Sequence, residues 1–326
     1  MAQGQRKVGQ DKDSIIAQLP EACRDERAAV EFVEAQRWSG EPACPRCGDL
    51  NVYAMKDRTT GERSKRFLWR CKGCKRQFTV KVGTVFEDSP IPMRIWCHAF
   101  WRACSSKKGV SALQIKRETG LTYKSALFMM HRIRFAMAED HATPPQLQGT
   151  VEVDETYVGG RTRLRNQRVR GKNRRTPKET VFAMVERGGK ARASHVPRGP
   201  GQNLKAEVRQ HVDPSARIMT DEAHPYRGLG KHFAGGHHTV KHSIYEYARG
   251  DVTTNTAEGF FSLLKRGIYG TFHHVSPKHL HRYVAEFEFR YNARWITDGE
   301  RTALAIQQSE GKRLCKLAVD SFDIPM

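Results

Sequence analysis

Residues 151–157 read Val-Glu-Val-Asp-Glu-Thr-Tyr, and apolar and polar side chains alternate along most of this stretch. Such alternation predicts a β-strand with one buried face. Because successive side chains in a strand point to opposite faces, Asp154 shares a face with Glu152 and Thr156. Glu155 points the other way, so we do not expect Asp154 and Glu155 both to be first-choice ligands of one ion.

A second aspartate follows a later strand. The segment Ala216-Arg-Ile-Met-Thr220 predicts this strand, and Asp221 emerges where the strand ends. Between Asp154 and Asp221 lie 66 residues, which is enough chain to return through the same sheet. The ends of strands are places where a fold can bring distant carboxylates together on a divalent metal ion.

The third element is a helix predicted to begin at Thr254-Asn-Thr-Ala-Glu258. Thr254 or Asn255 can cap it, and Glu258 comes three residues after Asn255, so both side chains can face one ion. Lys265 lies two turns further on the same face, where it can hold a phosphate. Two aspartates and a third oxygen ligand can place two Mg²⁺ ions about 3.5–4 Å apart for phosphoryl transfer. A capping box and two surface aspartates are the alternative explanation.

The surrounding pattern predicts an α+β fold. Further strands are expected at 180–186, 191–196 and 239–241, and a further helix is expected at 203–212. This order of elements is compatible with a mixed sheet flanked by helices.

Two cysteine pairs indicate a zinc site. Cys44-Pro-Arg-Cys47 and Cys71-Lys-Gly-Cys74 are separated by 23 residues. Two residues between thiolates allow a tight turn to aim both sulfurs at one ion, so two such pairs complete a tetrahedral Zn²⁺ site. Four thiolates leave no open position for water, which makes the zinc structural. The second pair is crowded by basic residues that either contact phosphates or form a solvated face: Lys65, Arg66, Arg70, Lys72, Lys75 and Arg76.

Helical patterns flank the ribbon. Before it, Pro20 is expected to divide two short helices. After it, residues 110–127 resemble a helix-turn-helix in which Thr122 caps the second helix, and His131 is a further candidate for the groove-facing side. An ordinary helical hairpin is the alternative, because an apolar pattern around a glycine turn is common.

Composition points to a polyanionic partner. The 326 residues carry a formal net charge of +21, and residues 161–178 contain nine Lys or Arg and no acid. A charge of this sign favours nucleic acid. No apolar run approaches the ~20 residues that span a bilayer, so no membrane partner is expected. Paired cysteines and the absence of a signal peptide favour the reducing cytosol.

Several of these motifs together resemble one family. Residues 151–160, 220–226 and 255–267, followed by 269–278 and 289–292, look like the catalytic domain of ISXO-type insertion-sequence transposases. The cysteine ribbon is similar to that family's DNA-binding zinc module. The resemblance implies a DNA transposase with an RNase H-like DDE domain that cuts element ends and joins their 3′-hydroxyls to target DNA.

The resemblance also implies roles for residues. Asp154 and Asp221 become the first two ligands of catalytic Mg²⁺ or Mn²⁺, and the family's lysine falls on Lys265. The third ligand is Asn255 or Glu258; charge slightly favours Glu258, since a carboxylate binds Mg²⁺ better than an amide does. Double-stranded DNA is the expected partner, bound by a homo-oligomer in a prokaryotic cytoplasm, at the nucleoid. A catalytically inactive, transposase-derived DNA-binding regulator and a plain metal nuclease remain alternatives.

The expected domain order follows from these motifs. It is a polar tail and helical lead-in at 1–41, a zinc ribbon at 42–90, a helix-turn-helix-like DNA-binding segment at 91–143, an RNase H-like catalytic domain at 147–300 and a C-terminal tail at 301–326.

Overall fold

The computed structural model describes residues 14–139, 146–159, 178–196, 204–246 and 248–315. The chain divides into two compact units. The first contains the described residues up to 106, together with 112–137 and those from 295 onward; the second contains 107–111 and the described residues from 138 to 294. Within these ranges, every helix is too short or too polar to cross a lipid bilayer.

The first unit is helical apart from its zinc ribbon. Its helices are α1 (Ser14–Arg24), α2 (Glu26–Trp38), α3 (Met93–Ser105), α4 (Ala112–Thr119), α5 (Tyr123–Met137) and α9 (Asp298–Gln307). Helix α3 packs against α1, α2 and α9. Residues 301–307, which the sequence analysis assigns to a C-terminal tail, are therefore part of α9, and a capping box between Thr297 and Glu300 begins this helix.

The expected division of the first helices at Pro20 is wrong, because Pro20 lies inside α1. The break comes at Asp25, whose Oδ1 accepts a hydrogen bond from the Ala28 amide at 2.8 Å and caps α2. A proline inside a helix removes one backbone hydrogen bond. Leu19 and Ala22, which lie on either side of Pro20, are buried, and their burial stabilises α1 despite the lost hydrogen bond.

The helix-turn-helix-like pair has the expected turn and cap. Gly120 adopts a φ of 72° between α4 and α5, a left-handed conformation that glycine favours. Thr122 Oγ1 accepts from the Ser125 amide at 3.2 Å. His131 is only 2% exposed, so the expectation that it faces a DNA groove is wrong. It falls on the side of α5 that packs into the unit.

The ribbon is a small antiparallel sheet in the order β1 (Val52–Ala54), β2 (Trp69–Cys71) and β3 (Gln77–Phe78). Cys44, Cys71 and Phe78 form its buried centre. Trp38 of α2 meets Trp69 edge to face, with ring centroids 5.6 Å apart. So few apolar side chains give little stability by themselves.

The second unit is built on a five-stranded mixed sheet. Its strands are β4 (Thr150–Val158), β5 (Glu179–Glu186), β6 (Ala191–Val196), β7 (Arg217–Thr220) and β8 (His237–Thr239), in the order β6-β5-β4-β7-β8. Strands β4, β5 and β6 are antiparallel, and β7 runs parallel to both β4 and β8. A short hairpin, β9 (Ala248–Arg249) and β10 (Val252–Thr253), precedes the last helices. The α+β expectation, with a mixed RNase H-like sheet, is confirmed.

Helices cover both faces of this sheet. Helix α6 (Leu204–His211) packs with Val151 and Val153 of β4 on one face. Helices α7 (Asn255–Gly267) and α8 (Leu280–Asn292) pack on the other face, against β5. Gly267 allows α7 to approach α8 closely, since a Cβ atom there would collide with the Phe287 ring. The sheet is thus buried on both sides, and polar side chains reach solvent where its strands end.

Candidate active site

Strand register brings the two aspartates together. Strand β4 lies in the middle of the sheet, and its parallel pairing with β7 sets Glu152 beside Met219. The same offset, continued by two residues, brings Asp154 beside Asp221 just beyond the end of β7. A turn holds the Asp221 side chain, whose Oδ1 accepts a hydrogen bond from the Ala223 amide at 3.0 Å. The two aspartates predicted from the sequence therefore lie side by side where β7 ends.

Glu258 approaches the same place from α7. It lies in the first turn of this helix, and its Oε1 accepts a hydrogen bond from the Thr254 hydroxyl at 3.3 Å. Its carboxylate is close enough to Asp154 to raise the pKa of that residue. Asn255 begins α7 with an exposed side chain. Of the two candidates for a third ligand, the structure brings Glu258 to the aspartates.

The carboxyl group of Asp154 is electrostatically strained. Its pKa is raised to about 7, chiefly by burial and in addition by the negative charges of Asp221, Glu155 and Glu258. A hydrogen bond from the Glu155 amide to Asp154 Oδ1, at 2.8 Å, acts in the opposite direction. Either protonation of Asp154 or a bound cation relieves the repulsion between these carboxylates.

Glu155 reaches the same acidic group although it lies on the other face of β4. Its carboxylate accepts a hydrogen bond from the Tyr226 hydroxyl, and burial raises its pKa, with a contribution from Asp221. The reason is that β7 ends at Thr220, so beyond this point both faces of β4 open into one cleft. Strand alternation separates Asp154 and Glu155 by face, yet both line that cleft.

The cleft has an acidic side and a basic side. It has a volume of about 870 Å³, and its lining includes Lys265 as well as Asp154, Glu155 and Glu258. Sequence analysis missed three other lining residues that suit a nucleic acid: Lys108, Arg266 and Tyr269. The one local signal for Arg266 is that it directly follows the predicted Lys265 in the sequence. No pattern marks Lys108, which is distant in sequence.

Glu152, two residues before Asp154 on β4, holds the start of α7. It is fully buried, and its carboxylate accepts hydrogen bonds from the Thr256 amide at 2.6 Å, the Thr256 hydroxyl at 2.9 Å and the Ala257 amide at 3.1 Å. These amides belong to the first turn of α7, where N–H groups lack partners within the helix. Glu152 thus caps α7 from β4, and the negative charge also suits the positive end of the helix.

Arg187 completes this connection. Its Nε donates to Glu152 at 2.6 Å, and its Nη1 and Nη2 donate to the carbonyls of Asp251 at 2.7 Å and Thr253 at 3.0 Å. The chain entering α7 is therefore tied to the strand that carries Asp154. The signal in the sequence was an acidic residue on a buried strand, two residues before Asp154 and on its face.

The cysteine sulfurs are placed for zinc. Cys44 and Cys74 Sγ are 3.7 Å apart, and Cys47 and Cys71 Sγ are 3.6 Å apart. A tetrahedral site with Zn–S bonds of about 2.3 Å separates its sulfurs by about 3.8 Å, so the four thiols fit a Zn²⁺ ion. In the part of the chain that the structure describes, this is the one group of three or more such residues whose ligand atoms all lie within 4.8 Å of one another. The carboxylates of Asp154, Asp221 and Glu258 do not meet this distance limit as a group.

Zinc is expected to stabilise the first unit. We predict one zinc per chain by elemental analysis, and none in a Cys71→Ser variant, whose melting temperature falls because metal binding contributes folding free energy to so small a core. Cys315→Ser, which changes an exposed cysteine outside the set, is the matched control and keeps the zinc. Retention of zinc by Cys71→Ser would contradict the assignment.

Two segments of the chain match known families. Residues 146–292 match a family described as the ISXO2-like transposase domain. Residues 24–77 match a family described as the transposase zinc-ribbon domain. The matched ranges contain the acidic cleft residues from β4 to α7 and the four cysteines, so the resemblance to ISXO-type transposases is confirmed.

The chain is also similar to individual proteins. It is 29% identical over 276 residues to an uncharacterized protein in the transposable element ISH50 of Halobacterium salinarum, covering 81% of this chain and 90% of that protein. A solved structure, the simian T-cell lymphotropic virus intasome in complex with PP2A regulatory subunit B56 gamma, matches with 12% identity and a TM-score of 0.26. That match covers 57% of this chain and 62% of the other, and a score this low supports no argument.

Proposed function

We propose that this chain, whose residues 146–292 match the ISXO2-like transposase domain, cuts the ends of an insertion sequence and joins their 3′-hydroxyls to target DNA. The observation that carries the proposal is the grouping of three carboxylates: Asp154 and Glu258 line one cleft, Asp221 lies beside Asp154 just beyond β7, and both Asp221 and Glu258 raise the pKa of Asp154. Three separate elements deliver these carboxylates. Such an arrangement is typical of metal-assisted phosphoryl transfer.

The donor set fits Mg²⁺ or Mn²⁺. Carboxylate oxygens are the ligands that hard divalent cations prefer. Asp154, with a pKa of about 7 in the absence of a cation, releases its proton when a cation binds. When bound, the metal supplies Lewis acidity and activates water or a 3′-hydroxyl. We assign Asp154 and Asp221 as the first two ligands.

We assign Glu258 as the third ligand in preference to Asn255, because Glu258 lines the cleft with Asp154 and its carboxylate is close enough to raise the pKa of Asp154. Glu258→Ala is expected to lower the joining rate by about 10²-fold or more, and Asn255→Ala by less than about tenfold. The two rates are measured side by side at saturating Mg²⁺. The opposite order of effects would assign the amide of Asn255 as the ligand.

The basic side of the cleft suits the phosphates of the DNA strand. Lys265 is two helical turns from Glu258 on α7, and both line the cleft. Its ammonium group, with Lys108 and Arg266 nearby, balances the negative charge of phosphates next to the scissile bond. Tyr269 offers an exposed ring for a neighbouring base.

The remaining features suit double-stranded DNA. The chain carries a net charge of +21, and its basic stretch at 161–178 is a further candidate for phosphate contact; apart from Lys178, this stretch lies outside the described residues. The ribbon and α4–α5 pair are proposed to recognise element ends. Because two DNA ends are handled together, we propose a homo-oligomer on DNA, acting in the cytoplasm at the nucleoid.

The test is to incubate the purified protein with labelled DNA carrying the flanking ends of its own gene, together with supercoiled plasmid, in Mg²⁺ or EDTA. We expect cut ends and plasmid-joined products in Mg²⁺ and neither in EDTA. Cutting without joining would instead indicate a plain nuclease. Tight binding without cutting in Mg²⁺ or Mn²⁺ would indicate a DNA-binding regulator.

A further inference from the structure

The zinc ribbon carries a basic concavity of about 480 Å³. It is lined by four cations and one amide: Arg46, Arg70, Lys75, Arg76 and Gln77. All five belong to the two cysteine turns or to the strands next to them. The concavity is therefore formed by the part of the chain that the zinc ion fixes.

The zinc turns and the strand register place these side chains. Arg46 lies between Cys44 and Cys47, and Lys75 follows Cys74 with a left-handed φ of 60°. Arg70 of β2 is paired with Gln77 of β3. Because strand neighbours alternate, the adjacent pair Trp69 and Phe78 faces the buried side, and the cations are left on the outer side.

These cations are not neutralised by the protein. The concavity has no acidic side chain in its lining, and in the described residues none of its four cations forms an ion pair. By contrast, two other arginines of this unit are paired, Arg63 with Glu34 and Arg37 with Glu310.

The zinc site itself balances only part of this charge. One Zn²⁺ and four thiolates carry a net charge of −2, whereas the four cations carry +4. Like charges that are held together repel one another and destabilise the folded state unless an anion approaches. A ligand with regularly spaced negative charges fits four cations better than a single small anion does.

We propose that this concavity holds the phosphodiester backbone of duplex DNA. The inference rests on the proposed function for the identity of the polyanion, and it adds which face of the ribbon meets DNA and by what chemistry. Contacts from Lys and Arg to phosphates position a protein on the duplex and carry no direct sequence information. This face of the ribbon thus supplies sequence-independent affinity, and the base reading that recognises element ends falls to the rest of the ribbon or to the α4–α5 pair.

The test removes the four charges together, in the variant Arg46→Gln/Arg70→Gln/Lys75→Gln/Arg76→Gln of the full chain. Its affinity is measured by fluorescence anisotropy over a range of salt, for duplex carrying an element end and for unrelated duplex of equal length. Both affinities should fall on the order of 10²-fold near physiological salt, and the slope of log affinity against log salt should decrease by about 3 to 4. The ratio of the two affinities should stay constant.

A matched control removes two charges elsewhere on the ribbon and is compared with Lys75→Gln/Arg76→Gln. Lys56 and Arg58 are exposed, lie between β1 and β2 and are not part of the concavity lining. Their double glutamine variant should retain most of the affinity and slope. Equal losses in the two variants would show that net charge acts rather than the concavity.

Two checks keep the outcome decisive. If the fourfold variant loses its zinc, the exposed pair Lys75→Gln/Arg76→Gln replaces it, with about half the change in slope. Loss of affinity for the element end alone would overturn the proposal in favour of base reading, and unchanged binding would overturn it outright. Cutting and joining are scored separately from binding. If the unaltered protein neither cuts nor joins DNA but the binding of the variant falls as stated, the concavity proposal stands and the proposed function is contradicted. If the unaltered protein is active but the variant binds DNA equally tightly, the proposed function stands and the concavity proposal is contradicted.

Discussion

Replacing Asp221 with alanine is expected to lower the rates of DNA cutting and joining by about 10³-fold or more, because loss of a metal ligand removes several kcal/mol of transition-state stabilisation. Asp221 lies next to Asp154, just beyond the end of β7. It is half-exposed, so the fold does not depend on its burial. Asp154→Ala should have an effect of the same size. Both rates are measured under single-turnover conditions with saturating Mg²⁺.

DNA binding separates a catalytic loss from a loss of fold. We expect Asp221→Ala to bind duplex DNA at least as tightly as the unaltered protein, because one negative charge leaves the cleft. Asp213→Ala is the matched control: Asp213 is an aspartate in a turn of the same unit, where it accepts from the Ser215 amide at 2.8 Å. It should retain activity. Full strand transfer by both Asp154→Ala and Asp221→Ala would mean that the site is elsewhere.

Glu152 is expected to affect the reaction through the position of Glu258. Glu152→Ala leaves the Arg187 guanidinium and two amides of α7 without their carboxylate partner, which should destabilise the fold by roughly 3–5 kcal/mol. Glu152→Gln keeps the shape and one acceptor oxygen, so the protein should fold. We expect this variant to need about tenfold more Mg²⁺ for half-maximal activity, the size of effect seen when groups that orient metal ligands are changed.

A buried glutamate elsewhere in the same unit supplies the control. Glu288 of α8 accepts from the Ala193 amide at 3.0 Å and from Arg192, and thus also ties a helix to a strand. Glu288→Gln should lower the melting temperature without shifting the Mg²⁺ requirement. If Glu152→Gln lowers stability but leaves the Mg²⁺ requirement unchanged, Glu152 has only a structural role.

The sequence predicts those parts of the fold and of the site that are encoded in local patterns. The alternation in residues 151–157 predicts β4, and the apolar run before Asp221 predicts β7. Cysteine spacing predicts the four-thiol cluster, because the geometry of each pair is set within a few residues. Where the signal is short-ranged, the prediction and the structure agree in type and nearly in bounds.

The parts that sequence does not predict depend on pairing between distant segments. The cap that Glu152 provides for α7 joins residues 104 apart, and no pattern within either segment announces it. Glu155 joins the acidic group because β7 is shorter than β4, which only the sheet reveals. The helix-turn-helix-like pattern makes His131 a candidate for a groove-facing side, whereas tertiary packing buries it. In each case a long-range contact decides what a local rule leaves open.

The most direct test of the central claim is transfer of a labelled duplex oligonucleotide, already ending in the element's 3′-hydroxyl, into supercoiled plasmid. The protein and its Asp221→Asn variant are compared in Mg²⁺ and in EDTA. We expect covalently labelled plasmid only from the unaltered protein in Mg²⁺. Labelled plasmid formed equally well by Asp221→Asn, or in EDTA, would contradict an active site built from the carboxylates of Asp154 in β4, Asp221 just beyond β7 and Glu258 in α7.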